Sequence, residues 1–282
     1  RINAIDTPGY FDFVGEAVAS LKVCDGALIA VDSVSGVEVG AEKAWDMVTE
    51  KGMPSLFFIN KMDRENANFS KVFGQLREVF GNKLVPLVLP IGAESSFKGV
   101  IDLIDMKART MDGHKVVESE IPSGHEDDIE EFRSMIIEAA AQTDEELMEK
   151  YFGGEELSKD EIVKGLRLGV LGGDVVPVLC GSAVKNIGVV TLMNTIERFF
   201  PSPSDAGEYH VKDLKANKEE SRKLDMNLPF SAQVFKTVAD PFVGKISMFK
   251  VMSGTVSSDT EVFNSNKEKK ERLSGLFLLR GK

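Results

Sequence analysis

Near its start the chain carries Asp6-Thr7-Pro8-Gly9, followed by Tyr10. A carboxylate at the end of a strand can hold Mg2+ through water, because that ion keeps most of its hydration. A glycine three residues on can bring its backbone N–H to a terminal phosphate, where a side chain would obstruct the approach. Asp6 and Gly9 suit those roles, although D-T-P-G is also ordinary turn chemistry. Asn60-Lys61-Met62-Asp63 is more specific. An aspartate can accept two hydrogen bonds from the N1–H and N2–H2 edge of guanine, a pair that adenine cannot donate. A lysine stem can pack over the base while its ammonium stays in water, and an asparagine can tie neighbouring loops together. The plain alternative is a capped turn before a helix. Gly181-Ser182-Ala183-Val184-Lys185-Asn186 is a third candidate, where backbone N–H groups of small residues can face a purine O6. By itself it is a generic turn. The order of phosphate sensor, base reader and base-supporting loop, each expected after an apolar strand, points to a site for GTP or GDP with Mg2+.

The elements that must position these residues follow from periodicity. Gly26–Asp32, Ser55–Asn60 and Val175–Leu179 are short continuous apolar runs, as expected of strands buried on both faces. Gly40–Lys51 and Asn66–Phe80 have helical apolar spacing, and Leu84–Ile91 is a further apolar run interrupted by Pro86 and Pro90. Strand and helix in alternation predict a mostly parallel α/β sheet. Beyond Gly92 the pattern changes. Phe97–Asp105 alternates weakly, Met111–His114 suggests a hairpin turn, and His125–Tyr151 is expected as one long helical stretch. Its apolar stripe would be Phe132, Ile136, Ile137, Ala140 and Leu147. Ser158 with Glu161 forms a capping box for a second helix, which Gly172-Gly173 closes. A last helix runs to Phe200, and Pro201-Ser202-Pro203-Ser204 marks a boundary. Residues 205–228 are polar, a linker or extended arm. Phe230–Phe235, Gly244–Ser253, Thr255–Val262 and Glu271–Phe277 are β-like and predict the start of a small β-barrel.

Bulk properties bound the function. The 282 residues suggest about two domains, with 43% hydrophobic and 28% charged residues, as in ordinary globular proteins. No apolar run approaches the ~18 residues of a membrane span, which argues against a membrane partner. The net charge of -11 argues against a general nucleic-acid coat. Cys24 and Cys180 lack C-x-x-C spacing, so a reduced, cytoplasmic protein is expected. His114, His125 and His210 lie in polar stretches without metal-site spacing and are expected to be solvated.

With these motifs in place, the chain resembles the bacterial elongation factor G family of translational GTPases. Arg1–Phe13, Asn60–Arg64 and Gly181–Gly188 resemble its third, fourth and fifth GTPase motifs. Leu89–Ala93 and Phe97–Leu103 resemble the opening of the insert that the family carries inside its GTPase domain. Phe199–Pro203 resembles the exit from that domain, and Asp240–Lys245 with Gly254-Thr255 the opening of its β-barrel second domain. The resemblance implies a P-loop-GTPase-type sheet truncated at its N-terminus over 1–204, with an inserted α+β subdomain at about 93–174. A linker over 205–228 and the start of a β-barrel over 229–282 would follow. It implies that Asp6 lies near Mg2+ and Gly9 contacts the γ-phosphate. Asn60, Lys61 and Asp63 would bind guanine, Ser182 and Ala183 would support its O6, and residues 10–24 would be the switch II region. It implies a monomeric, cytoplasmic GTPase whose partner is the ribosome, through ribosomal RNA and stalk proteins, and whose work is translocation.

Two departures qualify the resemblance. The family's D-T-P-G is normally followed by a histidine that acts on the attacking water, and Tyr10 stands there instead. An ordinary tyrosine, with a pKa near ~10, is a poor base at neutral pH, yet its hydroxyl can still bond a water, and positioning dominates this chemistry. Tyr10 is therefore compatible with slow or altered hydrolysis, or with packing against the ribosome or the domain itself. No G-x-x-x-x-G-K-[ST] loop occurs, and Gly36–Gly40 cannot replace it. The chain thus begins in mid-domain and should bind GTP weakly by itself. Three readings stand side by side: a GTP-hydrolysing translocation factor, a GTP-dependent ribosome-binding or ribosome-protection paralogue with slow or dispensable hydrolysis, and a GTPase outside translation. The acidic stretch Glu126–Glu131 is a solvated helix start favoured by the helix dipole or a stalk contact, and Lys267–Arg272 an exposed strand or turn.

Overall fold

The computed structural model describes residues 1–113, 115–205, 207–213, 218–242 and 244–278. They form two compact units, Arg1–Pro201 and Ser202–Lys282. In the first unit, residues 1–9 have no regular structure. A 3-10 turn at Phe11–Phe13 leads into α1 (Val14–Ser20). Then come β1 (Ala27–Asp32), α2 (Val39–Glu50), β2 (Ser55–Asn60), α3 (Phe69–Phe80) and β3 (Leu84–Pro86). An antiparallel run follows with β4 (Val88–Ile91), β5 (Gly99–Asp102), β6 (Lys107–Asp112) and β7 (Lys115–Ser119). Helices α4 (Glu126–Ala141), α5 (Glu145–Phe152) and α6 (Lys159–Gly172) come next, and β8 (Val176–Cys180) with α7 (Val189–Phe199) closes the unit.

The central sheet has the order β1-β2-β8-β3, and each neighbouring pair is parallel. This is the α/β architecture expected from the alternating pattern. Strands β3 and β8 are neighbours although the second sheet, β4-β5-β6-β7, and three helices lie between them in sequence. β2 and β8 sit inside the sheet and are buried along nearly their whole length, which is why they are uninterrupted apolar runs. Trp45, Phe57 and Phe80 cluster where α2 and α3 cover β2, with ring centroids 5.1–5.5 Å apart.

The run Leu84–Ile91 is not one strand. Its two halves belong to different sheets, and Leu87 is the hinge. The Leu87 N–H donates to Val178 at 3.0 Å, while its carbonyl accepts from Leu103 at 3.0 Å. Pro86 and Pro90 have no N–H to extend a single ladder.

The stretch expected as one long helix, His125–Tyr151, breaks into α4 and α5. Asp144 N-caps α5, accepting from the N–H groups of Glu146 and Leu147. The Thr143 hydroxyl lies 2.8 Å from the Ala140 carbonyl and 2.9 Å from that of Gly165. Short polar side chains of this kind favour caps and turns over helix interiors. Helix α6 begins at the capping box of Ser158 and Glu161 and ends at Gly173 in the left-handed region, as its sequence predicts. It crosses α4 where Gly165 meets the Ala140 backbone.

A buried ionic junction joins β5, β6, α6 and α7. Arg109, with a side chain 9% exposed, pairs with Asp102, Asp105 and Glu118. Asp105 also meets Lys159 at 2.6 Å and Arg198 at 3.4 Å. Burial opposes its charge, but the hydrogen bonds from Lys159 and Arg109 prevail and hold its pKa at about 2. Breaking such a junction leaves buried charges unpaired.

The second unit holds β9 (Glu208–Asp213), β10 (Lys218–Lys223), β11 (Ser231–Asp240), β12 (Gly244–Ser253), β13 (Thr260–Asn264) and β14 (Lys269–Leu273). They pair as three antiparallel ladders, and among the described residues these do not join into a closed barrel. Residues 205–228, expected as a linker or extended arm, instead supply the first ladder. Its register sets Glu208 opposite Lys223 and Lys212 opposite Glu219, so the charges that suggested a solvated arm are cross-strand partners. The Tyr209 hydroxyl bonds Ser231 at 2.8 Å and Ser253 at 2.9 Å, tying that ribbon to the next. The strands expected at Thr255–Val262 and Glu271–Phe277 are shorter, because a turn through Glu268 at φ 51 fixes Thr260 opposite Leu273. His210 lies exposed in β9, with Nδ1 3.2 Å from the Ser221 hydroxyl. His114 lies outside the described residues, as does Val243. No helix of the described residues is long and apolar enough to cross a membrane.

Candidate functional site

Parallel strands deliver their carboxyl ends to one edge of a sheet, where ligands of open α/β folds bind. The register here sets Asp32 beside Asn60 and Ile59 beside Cys180. The loops after β1, β2 and β8 therefore emerge side by side. Asn60 joins two of them. Its Oδ1 accepts from the Lys61 N–H at 2.8 Å and from the Ala183 N–H at 3.0 Å. The Met62 N–H donates to the Gly181 carbonyl at 3.1 Å, a second tie between the same loops.

Asp63 faces the third loop. Lys185 Nζ stands 4.0 Å from its Oδ2. The Ser182 hydroxyl is the largest influence on that carboxyl and, with the nearby cations, outweighs partial burial to hold it below the ordinary carboxylate range. The group is an ionised acceptor fixed from one side and 20% exposed on the other. Ser182 is fully buried, and its Oγ also accepts from the Lys185 N–H at 3.2 Å. Gly181 and Gly188 permit this close packing. A Cβ on Gly188, at φ 81, would lie 2.5 Å from the Cys180 carbonyl oxygen. Cys180 is buried and its thiol is pushed upward by burial, which makes it an inert packing residue.

The structure thus brings Asn60, Lys61, Asp63, Ser182 and Ala183 together. Among the described residues no hydrogen bond or ion pair links Asp6, Gly9 or Tyr10 to them. Among the described residues Asp6 does not follow a strand. Residues 1–9 have no ladder partner, and Ile2 and Ile5 stay 39% and 42% exposed. Backbone groups without a partner strand keep their hydrogen bonds to water. The Gly9 carbonyl approaches Gly40 at the start of α2, and Lys43 Nζ stands 3.9 Å over the ring of Phe11. Tyr10 is 79% exposed and does not pack on its own unit.

The Asp63 carboxylate, partly exposed and ionised, suits the N1–H and N2–H2 edge of a guanine base, while the N–H groups of Gly181, Ser182 and Ala183 are donated to Ile59, Ile187 and Asn60. The metal is different. No group of three His, Cys, Asp or Glu side chains among the described residues could hold an ion. Asp6 alone matches only a metal bound mainly by water and phosphate oxygens. Sequence reasoning missed Asp32, Ser33 and Glu94. Asp32 Oδ2 pairs with Lys61 Nζ at 2.6 Å, Ser33 Oγ donates to the Lys61 carbonyl at 2.8 Å, and Glu94 Oε1 accepts from the Asn66 N–H at 2.8 Å. Asp32-Ser33 ends an apolar strand just as Asn60-Lys61 does, which was the available signal.

The chain is similar to known proteins over most of its length. Residues 1–202 match the family model of the elongation factor Tu GTP binding domain. Residues 229–282 match that of elongation factor G domain 2. A crystal structure of a protein from Thermus thermophilus is similar, with a TM-score of 0.79 and 29% sequence identity over 95% of this chain. The chain spans 37% of the length of that relative.

Proposed function

Because the chain belongs to the family defined by the elongation factor Tu GTP binding domain, we propose that its protein is a GTPase of the elongation step of protein synthesis, acting as a ribosomal translocation factor of the elongation factor G type. The observation that carries this is the ionised carboxylate of Asp63 facing the Ser182 loop, with Asn60 tied to Ala183 beside it. The elongation factor G domain 2 that follows supports the G type over other translational GTPases. In this reading Asp63 accepts from the guanine edge, the Lys61 stem lies over the base, and Ser182 and Ala183 support O6. Gly9 would offer its N–H to the γ-phosphate. A Mg2+ ion held by the phosphates and water would neutralise their charge, with Asp6 touching it through water. The segment over 93–174 would be the family's insert, and residues 10–24 would move with the nucleotide state. The partner would be the ribosome, through its RNA and stalk proteins, with the acidic first turn of α4 as a candidate stalk contact. The protein would act as a cytoplasmic monomer.

A second reading is favoured by Tyr10. Its side chain sits 79% exposed in the position where the family places histidine. A GTP-dependent ribosome-binding paralogue, specialised or ribosome-protecting, would need little hydrolysis. Ribosome-stimulated GTP hydrolysis by the full-length protein and by Tyr10→His separates the two. A translocation factor shows strong stimulation as it stands. A paralogue limited by Tyr10 shows little until the histidine is introduced. No stimulation in either protein sinks the translocation reading.

A further inference from the structure

Lys61 is held at three points. Its N–H donates to Asn60 Oδ1 at 2.8 Å, its carbonyl accepts from Ser33 Oγ at 2.8 Å, and its ammonium meets Asp32 Oδ2 at 2.6 Å. It is also one of few residues with a Cβ at positive φ, here 64. That conformation is unfavourable for an L-residue and persists only where the surroundings over-determine it.

The group that grips the ammonium is itself fixed. Asp32 Oδ1 accepts from the N–H groups of Val34 at 2.8 Å and Ser35 at 3.2 Å, which leaves Oδ2 for Lys61. Ser33 is buried, donates its N–H to the Asn60 carbonyl at 3.0 Å and accepts from the Asn68 N–H at 3.0 Å. The loop after β1 is therefore a rigid bracket around one lysine. A lysine stem on a half-exposed loop otherwise samples many rotamers, and ordering it on binding would weaken the complex.

We propose that Asp32, with Ser33, is the positioning element that lays the Lys61 stem across the guanine face and so tunes affinity for guanine nucleotides. This rests on the reading of Asn60–Asp63 as the base-recognition loop. Asp32 acts through Lys61 and does not touch the base. The bracket orders the stem before the ligand arrives.

The test is a double-mutant cycle in the full-length protein, read by titration of N-methylanthraniloyl-GDP. Asp32→Asn keeps an oxygen for Val34 and Ser35 but loses the charge. It should weaken binding about fivefold, the scale of a partly exposed ion pair. Asp32→Glu should recover part of the loss. In a Lys61→Met background, Asp32→Asn should add less than about a twofold change, because its partner is already gone. The proposal is overturned if Asp32→Asn leaves binding unchanged or tighter, or if the same factor persists without Lys61. Loss of binding in Asp63→Asn, measured alongside, confirms the guanine site independently. If both Asp63→Asn and Lys61→Met bind GDP as before, the base-recognition reading itself falls, and this inference with it.

Discussion

The substitution Ser182→Ala tests how the proposed guanine site is built. Two side chains of the third loop steady the Asp63 carboxylate: the Ser182 hydroxyl and Lys185 Nζ at 4.0 Å. Coulomb attraction at that distance is about 1 kcal/mol in water and about 4 kcal/mol at an effective dielectric of 20. Lys185 is 43% exposed, so the lower figure applies, and such pairs commonly contribute no more than about 1 kcal/mol. A hydrogen bond to a charged group contributes about 1.5–3 kcal/mol, and the Ser182 hydroxyl, the largest influence on the Asp63 carboxyl, acts on it from a fully buried position. The hydroxyl should therefore dominate. Losing about 1.5 kcal/mol corresponds to about tenfold weaker GDP binding, against at most about fivefold for Lys185→Ala. Calorimetric titration of the full-length variants with GDP measures both. Carbon NMR of the Asp63 carboxyl should show its pKa rising toward the ordinary value of 3.8 in Ser182→Ala. Thermal melting separates a local effect from unfolding, since Ser182 also accepts from the Lys185 N–H. A folded Ser182→Ala protein with unchanged affinity would refute the reasoning, as would a larger loss from Lys185→Ala.

Other expectations concern the scaffold. Gly165→Ala sets a Cβ into the Ala140 backbone where α6 crosses α4. Overpacking of this kind should destabilise by about 1–3 kcal/mol, read as a lower midpoint in urea. The Asp105 carboxylate, held at about 2 against 3.8 unfolded, stabilises the fold above pH 3.8 and loses that contribution as the pH falls through 2. By linkage the contribution is about 2 kcal/mol. Circular dichroism between pH 5 and 2 should show a shallower acid transition in Asp105→Asn, and an unchanged pH slope would contradict the assignment.

Much of this protein was legible locally. The capping box of Ser158 and Glu161 and the left-handed Gly173 depend on residues three or four apart, and both stand as expected. The buried strands β2 and β8 were visible as apolar runs because both faces of a parallel sheet are covered. N-K-x-D and G-S-A were visible as motifs for the same local reason. What misled was equally local. His125–Tyr151 kept a helical apolar stripe across Thr143 and Asp144, so periodicity concealed the caps that divide it. Residues 205–228 looked like a solvated arm, because opposite charges in one stretch of sequence do not reveal that they face each other across a ladder.

By itself the sequence determined the fold class, the buried strands β2 and β8 and the chemical types at the site. Only the tertiary structure decided which groups hold them. Asn60 meets Ala183 across 123 residues, and Lys61 meets Asp32 across 29. Those pairings follow from the order β1-β2-β8 in the sheet, which brings three carboxyl ends to one edge. Sheet order comes from long-range burial and register, and no local spacing records it. The same reason divides Leu84–Ile91 between two sheets at Leu87, whose N–H and carbonyl answer to strands that lie far apart in the chain.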